Sequence, residues 1–313
     1  MTDLSDLPGP PGPPGLSGAG PFPASALGDL EPAIGECIAD LTSRHDTGND
    51  GTGAGDGTVS VWLGDLDSGV HVALAADVPH YAASTMKLPL LVAAYRRHED
   101  GTIDLDRSVD LHNRFASATD GSSYSLDQGD DQDDETWERI GSQCSLRVLA
   151  EHATVRSGNL ATNLLLEHVG TGAVADVLAD AGCSRTTVVR RGIENSAARE
   201  AGLDNLVTAA DLGIVMRAVA ARSLASTATC EQIETVLSRQ EHRDGVPAGL
   251  PPRTYVANKT GWVDGITHDV ALVRPDRTPA YVLVVLTTLE VAETVATRLI
   301  ADISAVVWEA WHR

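Results

Sequence analysis

Alternation of apolar and polar residues marks strands near both ends of the chain. The stretch TVSVWLGDLDSGVHVALAAD, residues 58–77, alternates with a period of two and is interrupted from Asp67 to Gly69, which predicts a β-hairpin. Towards the other end, HDVALVRP and AYVLVVLTTL have the same strand character and are separated by the short polar turn DRTP. Both ends of the chain are therefore expected to contribute strands.

Apolar residues at helical spacing predict helices in the rest of the chain. The first is expected from Ser25 to His45, and another begins at or next to Ser84 and includes the apolar run Met86 to Tyr95. Further helical patterns cover residues 146–155, 160–169, 173–181, 209–221, 230–240 and about 291–311.

This order of elements predicts an α+β fold. An antiparallel sheet flanked by N- and C-terminal helices is expected from residues 25–83 and 250–313, with a mainly helical subdomain, residues 84–249, inserted between them. The boundary between the two parts is expected to form a cleft, where ligands commonly bind.

Two segments have a composition unlike that of the core. The Pro/Gly-rich residues 1–24 predict a disordered arm. Between Phe115 and Glu138 the chain has eight acidic residues and no basic one, so an acidic insertion at about 116–138 is expected to be a solvated surface segment. The remaining chain is long enough, and with 42% hydrophobic residues apolar enough, to bury a sizeable core.

Charge and cysteine content limit the function classes. With 44 acidic and 23 basic residues the formal net charge is −21, which argues against nucleic acid and membrane surfaces as partners. The four cysteines lack metal-ligand spacing, so we expect no metal and no other cofactor. The N-terminus has neither a basic region nor a continuous apolar run, which predicts a cytoplasmic protein, with export by another route left open. The oligomeric state is not indicated.

Lysine is rare in this chain: Lys87 and Lys259 are the only two, beside 21 arginines. Arginine stays protonated, whereas a buried lysine amine can lose its proton and act as a base. Lys87 follows Ser84 by three residues, so both side chains lie on one face of the predicted helix and the amine can reach the serine hydroxyl. This spacing is also compatible with a capping serine and an unrelated lysine.

Two further motifs complete a known series. SxN occurs at Ser157 to Asn159 just before a helix, and KTG occurs at Lys259 to Gly261. The order SxxK, SxN, KTG is a signature of class A β-lactamases and penicillin-binding proteins. The chain resembles this serine hydrolase family over residues 30–312, including SGNLATNLLLEHVG and LVTAADLGIVMRAVA. The resemblance implies the β-lactamase/transpeptidase-like form of the α+β fold.

The resemblance also implies roles for individual residues. Ser84 would be the nucleophile, Lys87 its base and Ser157 a hydroxyl that relays a proton to the leaving group. The substrate would be bound by Asn159, Lys259, Thr260, Gly261 and Trp262, the last through its backbone N–H in the oxyanion site.

The chain departs from the family pattern at two places. Class A enzymes have an ExxLN stretch whose glutamate activates the deacylating water, whereas this chain has VVRRGIENSAAREAGLDNLVT, with Glu194 but without the leucine and asparagine. Glu194 is therefore a candidate base, with a solvated loop glutamate as the alternative. Gly158 replaces the aspartate of SDN and removes a carboxylate that braces this loop in the family, which puts the rigidity of Ser157 in doubt.

The expected activity is hydrolysis through an acyl-enzyme on Ser84, with a β-lactam or a related amide or ester as a small-molecule or peptide-like acyl substrate. Antibiotic resistance is the biological role that a β-lactamase activity would serve. Acyl transfer by a peptidase or biosynthetic acyltransferase of the same superfamily remains an alternative, and so does a penicillin-recognising binding or sensor protein.

Overall fold

The computed structural model describes residues 30–45, 57–67 and 69–313. The predicted arm over residues 1–24 and the start of the predicted N-terminal helix lie outside the described residues. Among the helices of these ranges, none has both the length and the hydrophobicity that crossing a bilayer requires.

Most of the helices follow the predicted pattern, and two short ones, Asp134–Glu138 and Ser196–Glu200, were not predicted. They are α1 (Leu30–His45), α2 (Lys87–Glu99), α3 (Asp134–Glu138), α4 (Leu146–Glu151), α5 (Asn159–Ala181), α6 (Ser196–Glu200), α7 (Ala209–Ala220), α8 (Thr227–Ser238) and α9 (Glu293–Trp311). Gly170 has a φ of 77° inside α5, so the two patterns predicted there form one element with a kink.

The strands include the four predicted ones, a further long strand that was not predicted from the sequence, Tyr255–Val263, and several short pairs. They are β1 (Thr58–Asp65), β2 (Val70–Leu74), β3 (His80–Tyr81), β4 (Ser108–Asp110), β5 (Phe115–Ala116), β6 (Ser123–Tyr124), β7 (Gln143–Ser145), β8 (Leu206–Val207), β9 (Tyr255–Val263), β10 (Ile266–Arg274) and β11 (Tyr281–Thr288).

One five-stranded antiparallel sheet joins the two ends of the chain. Its order is β2–β1–β11–β10–β9, and Val61 of β1 lies opposite Val285 of β11. The predicted α+β fold is therefore confirmed. Because β9 is an edge strand, one side of its backbone remains available to the helical part of the molecule.

Alternate residues of the sheet face two different hydrophobic layers, as the period of two requires. Val61 and Leu63 pack with α1 and α9, whereas Trp62 between them packs into the core of the helical part. The sheet thus has helices on both faces, and the larger core lies on the side that carries α2, α5 and α7.

The acidic segment, residues 116–138, is only partly the solvated surface that its composition predicts. Many of its side chains are exposed, but Asp133 is 1% exposed and Thr136 2% exposed. Asp131 is half-buried and accepts hydrogen bonds from the backbone N–H groups at the start of α5. The buried residues depart from the composition-based prediction because they meet hydrogen-bond donors from other segments of the chain.

Gly213 lets α7 lie directly on the sheet. A Cβ atom at this position would be 2.5 Å from Cδ2 of the buried Trp62, whereas a Cβ at Gly172 in α5 would meet open space. We expect Gly213→Ala to lower the free energy of unfolding by about 1–3 kcal/mol, because overpacking outweighs the gain in helix propensity of about 1 kcal/mol.

Gly172→Ala is the matched control, since it should raise the free energy of unfolding by up to about 1 kcal/mol. Denaturation by guanidinium chloride measures both changes. An equal gain in the two variants would show that α7 does not need the close approach.

Candidate active site

A cleft of about 700 Å³ lies between the edge of the sheet and the helical part. Five of the predicted site residues line it: Ser84, Ser157, Asn159, Glu194 and Trp262. Lys87 and Lys259 lie beneath this surface and are almost completely buried, with exposures of 1% and 0%. Segments more than 70 residues apart in sequence are thereby brought to one place.

Ser84 lies in a 3₁₀ turn, Ala83–Met86, that leads directly into α2. Ala83 before it has a φ of 42°, which is a strained left-handed conformation for a residue with a side chain. The turn is held by Thr85, whose backbone N–H and hydroxyl both donate to Ala82 O, at 3.0 and 2.6 Å. Ser84 itself is half-buried and faces the cleft, at the predicted helix start.

Gly261 allows β9 to approach the turn that carries Ser84. A Cβ atom at Gly261 would lie 2.8 Å from the backbone nitrogen of Ser84 and 2.9 Å from that of Thr85. Because those atoms belong to the backbone, any larger residue would push the strand and the turn apart. The glycine of KTG therefore sets the width of the cleft at Ser84.

Lys87 is held by acceptors from the SxN loop. Its Nζ donates to Ser157 O at 2.6 Å and to Asn159 Oδ1 at 3.0 Å, and lies 3.4 Å from Ser157 Oγ. Burial lowers the pKa of Lys87 to about 7, against an opposing effect of the Asp131 charge. Near neutral pH a substantial fraction of this amine is uncharged and able to accept a proton.

Ser157 lies between the two lysines. Its Oγ accepts a hydrogen bond from Lys259 Nζ at 3.1 Å, and the same amine donates to Thr260 O at 2.9 Å. Burial, followed by the nearby charge of Lys87, lowers the pKa of Lys259 well below its usual value. The Ser157 hydroxyl can therefore exchange protons with either amine.

Asn159 connects this lysine network to the acidic segment. Its side-chain Nδ2 donates to Asp130 O at 3.0 Å, while its Oδ1 accepts from Lys87. The backbone N–H of Asn159 donates to Asp131 Oδ1 at 2.8 Å. The amide is thus fixed in orientation at the cleft wall.

Thr260 and Trp262 also lie on β9, and Thr260 lines a smaller pocket that shares Trp262 with the cleft. Thr260 is buried, and its Oγ1 has no hydrogen-bond partner among the described residues. Trp262 lines the cleft, and its ring contacts His242 edge to face at a centroid distance of 4.7 Å. A hydroxyl without a partner beside the buried Lys259 is suited to bind an acceptor group such as a carboxylate.

Glu194 lies in the cleft wall but outside the lysine network. It has a φ of 58°, and its Oε2 accepts the backbone N–H of Asp127 at 2.7 Å. Its Oε1 is buried and has no partner among the described residues, which include no hydrogen bond or ion pair between Glu194 and Lys87. Burial is the largest effect on Glu194 and raises its pKa; the hydrogen bond from Asp127 acts in the opposite direction, and the nearby carboxylates, first that of Asp130, add to the rise.

Sequence reasoning missed three residues that shape this site. Asp131 and Asp133 stand in the acidic segment and cannot be told apart there from their exposed neighbours. Asn163 exchanges two hydrogen bonds with the backbone of Ile193, at 2.7 and 3.0 Å, and so fixes the loop before Glu194. A lone asparagine in the apolar stretch LATNLLL was the one available signal for this contact.

Comparison with known proteins shows a family and a fold. The model of the family described as "Beta-lactamase enzyme family" matches residues 49–311. No curated protein matches the sequence. The similar solved structures include the following three, each covered over nearly its full length.

The first is a PBP-A mutant, described as an acyl-enzyme complex with penicillin-G, at 21% identity and a TM-score of 0.71, covering 91% of this chain and 97% of that one. A β-lactamase from Sphaerobacter thermophilus DSM 20745 has 22% identity and a TM-score of 0.72, with 90% and 97% covered. A mutant class A β-lactamase of the last common ancestor of Gram-negative bacteria has 25% identity and a TM-score of 0.73, with 90% and 99% covered. Since the family model spans most of its length, the chain belongs to the β-lactamase enzyme family.

Proposed function

We propose that this protein is a serine hydrolase that forms an acyl-enzyme on Ser84 and acts on a β-lactam or a related amide or ester. The observation that carries this proposal is the convergence of two buried lysines on Ser157 behind Ser84. Two buried amines with lowered pKa values have little structural value, because their burial is costly. They are useful where a proton must be moved near neutral pH.

Acylation begins with attack of Ser84 Oγ on the substrate carbonyl carbon. The neutral amine of Lys87 takes the hydroxyl proton, and the carbonyl oxygen becomes an oxyanion. The backbone N–H groups of Ser84 and Trp262 are assigned to this oxyanion. The position of Ser84 at the start of a helix adds a favourable dipole.

Collapse of the tetrahedral intermediate breaks the carbon–nitrogen bond, and the leaving nitrogen needs a proton. Ser157 Oγ gives its proton to that nitrogen and takes one from the Lys87 ammonium, which restores the neutral amine. Lys259, whose Nζ lies 3.1 Å from the same oxygen, stabilises the hydroxyl while its proton is in transfer.

Substrate orientation is assigned to the cleft walls. The Lys259 amine and the Thr260 hydroxyl, which has no hydrogen-bond partner among the described residues, would bind an anionic group of the substrate, such as a carboxylate. Asn159 would hold the acyl amide from the opposite wall. Gly261 and Trp262 would contact the substrate from the edge of β9, where main-chain hydrogen bonds are available.

Release of the acyl group to water requires a base, and Glu194 is assigned to it. Among the described residues its Oε1 has no hydrogen-bond partner, and Glu194 lines the cleft, where this oxygen could accept a proton from a water molecule. Glu194 would take that proton while the water oxygen bonds to the ester carbon, and the proton would then pass to Ser84 Oγ as the carbon–oxygen bond breaks, which restores both the serine and the carboxylate. A raised pKa makes this carboxylate a stronger base when it is ionised.

A second candidate function is supported by the same residue. Among the described residues no hydrogen bond or ion pair joins Glu194 to Lys87, and Oε2 of Glu194 accepts the backbone N–H of Asp127. A poorly coupled base would leave a long-lived acyl-enzyme, as suits an acyltransferase or peptidase with an amine acceptor, or a penicillin-recognising sensor.

Ser84→Ala should abolish covalent labelling by a fluorescent penicillin, because no other residue is assigned as nucleophile. Ser196→Ala, which changes another serine of the cleft wall, should label at the wild-type rate. Intact-protein mass spectrometry over time measures the adduct. Labelling of Ser84→Ala at the wild-type rate would refute the assignment, and a chromogenic cephalosporin distinguishes turnover from a persistent adduct.

The acylation rate should rise with pH through about 7, because Lys87 must be neutral to accept the Ser84 proton and its pKa is lowered to about 7. Below that pH the rate should fall roughly tenfold per pH unit. Lys87→Arg keeps the charge and removes the base, so it should slow acylation by about 10²- to 10⁴-fold. Stopped-flow labelling from pH 5.5 to 8.5 measures the pH dependence and the effect of the variant. Near-normal acylation in Lys87→Arg would show that Lys87 acts only as a positive charge and not as the base.

Glu194→Gln should leave acylation nearly intact and make the adduct persist, because it removes only the base for deacylation. Glu200→Gln, an exposed change on nearby α6, serves as the control and should behave as wild type. The two rate constants are measured separately by single-turnover mass spectrometry. If wild type and Glu194→Gln hold the adduct equally long, acyl transfer or sensing replaces hydrolysis.

A further inference from the structure

The carboxylate of Asp133 is buried against the segment that leads into Ser157. Its Oδ1 accepts a hydrogen bond from Arg156 Nη1 at 2.9 Å. Its Oδ2 accepts from His152 Nδ1 at 3.0 Å and from the Thr136 hydroxyl. An ionised carboxylate can only accept hydrogen bonds, so all three neighbours point donors at it.

Two of these donors belong to a π-helical turn, His152–Arg156, that ends at Ser157. Asp133 therefore ties the first and the last residue of this turn to one point. Gly158 closes the turn by donating its backbone N–H to His152 O at 3.1 Å. Single π-helical turns are rare and depend on their surroundings for stability.

Ser157 itself has an unfavourable backbone conformation. Its φ of 66° and ψ of 25° are left-handed, which costs a residue with a Cβ atom about 1–2 kcal/mol. This conformation aims the Ser157 carbonyl at Lys87 and its hydroxyl at Lys259. Local sequence preference does not favour it, so contacts from elsewhere in the chain must hold it.

Gly158 and Asp133 share one small volume. A Cβ atom at Gly158 would lie 2.8 Å from Asp133 Cβ and 3.1 Å from its Oδ2. A side chain at position 158 and the side chain of Asp133 therefore exclude each other. By lacking a side chain of its own, Gly158 makes room for the carboxylate of Asp133 from the acidic segment.

We propose that Asp133 is a positioning residue that holds Ser157 in its left-handed conformation, and that it supplies from the acidic segment the carboxylate absent at Gly158. Its contribution to catalysis rests on the proton-relay role proposed above for Ser157. Its structural part, the fixing of the turn before Ser157, can be tested without any activity. Asp131, which binds the N–H groups of Asn159 and Leu160 at 2.8 Å each, fixes the other side of the same loop.

The test compares Asp133→Asn with Asp134→Asn in the full chain. At position 133 an asparagine would place its amide hydrogens opposite groups that are themselves hydrogen-bond donors. Asp134 is the control because it is exposed and its Oδ1 accepts only a 3.4 Å hydrogen bond, from Gln128, among the described residues. We expect faster hydrogen exchange of the backbone amides of residues 157–160 in Asp133→Asn alone. Acylation of Ser84 should slow about tenfold or more in that variant, because a misplaced relay group has an effect of this order.

Relocation of the carboxylate gives a second, independent test. Gly158→Asp alone should slow acylation, because its side chain collides with Asp133. In Asp133→Gly the rate should also fall, and the double variant Asp133→Gly/Gly158→Asp should recover at least tenfold over Asp133→Gly. A double variant no faster than Asp133→Gly would overturn the exchange of roles between the two positions.

Each outcome separates the two proposals. A wild type that never labels at Ser84 would overturn the proposed function, while the exchange measurement would still decide whether Asp133 fixes the turn. Unchanged exchange at residues 157–160 in Asp133→Asn would overturn the positioning role. If Asp133→Gly fails to fold, Gly158→Ala takes its place: its Cβ displaces Asp133, so wild-type exchange and acylation in that variant would also contradict the proposal.

Discussion

The site depends on the burial of two lysine amines beside a single serine. Taking an ammonium group out of water is costly, and two such groups near each other also repel. The structure offsets this with carbonyl and hydroxyl acceptors of Ser157, Asn159 and Thr260, and with pKa values lowered enough that an amine need not stay charged. Three elements must meet for this to work: the start of α2, the loop before α5 and strand β9.

The sheet edge determines how closely these elements meet. β9 is the last strand of the sheet, so its outer side can face Ser84 rather than another strand. Gly261 removes the one side-chain atom that would hold the strand away from the Ser84 turn. The Ser84 turn contains a strained residue, Ala83, which has a left-handed backbone conformation. Helix α2, which follows the turn, is packed in the main hydrophobic core. The rigid core thus supports the strained backbone that presents the serine.

Much of this arrangement could be predicted from the sequence, because it follows from the periodicity and spacing of residues that are close together in the chain. Alternation predicted four of the five strands of the sheet, all except β9, and helical spacing predicted most helices to within a few residues. The rarity of lysine led to Lys87 and Lys259. Contacts between distant segments could not be predicted in this way. The distance between Glu194 and Lys87 depends on the path of the loop that carries Glu194. Two hydrogen bonds between Asn163 and the backbone of Ile193 fix that path, and residue spacing in the sequence does not predict them.

The acidic segment shows why composition misleads at a site. Its average charge describes a solvated surface, and most of its carboxylates are indeed exposed. A carboxylate is stable when buried only if it meets several donors, and Asp133 meets them because His152 and Arg156 fold back over it. Those donors stand 19 and 23 residues further along the chain. Considered alone, Gly158 indicates that a stabilising carboxylate is missing from the loop. Considered together with Asp133, it indicates that the carboxylate comes from a segment distant in sequence, so the two positions have to be interpreted as a pair.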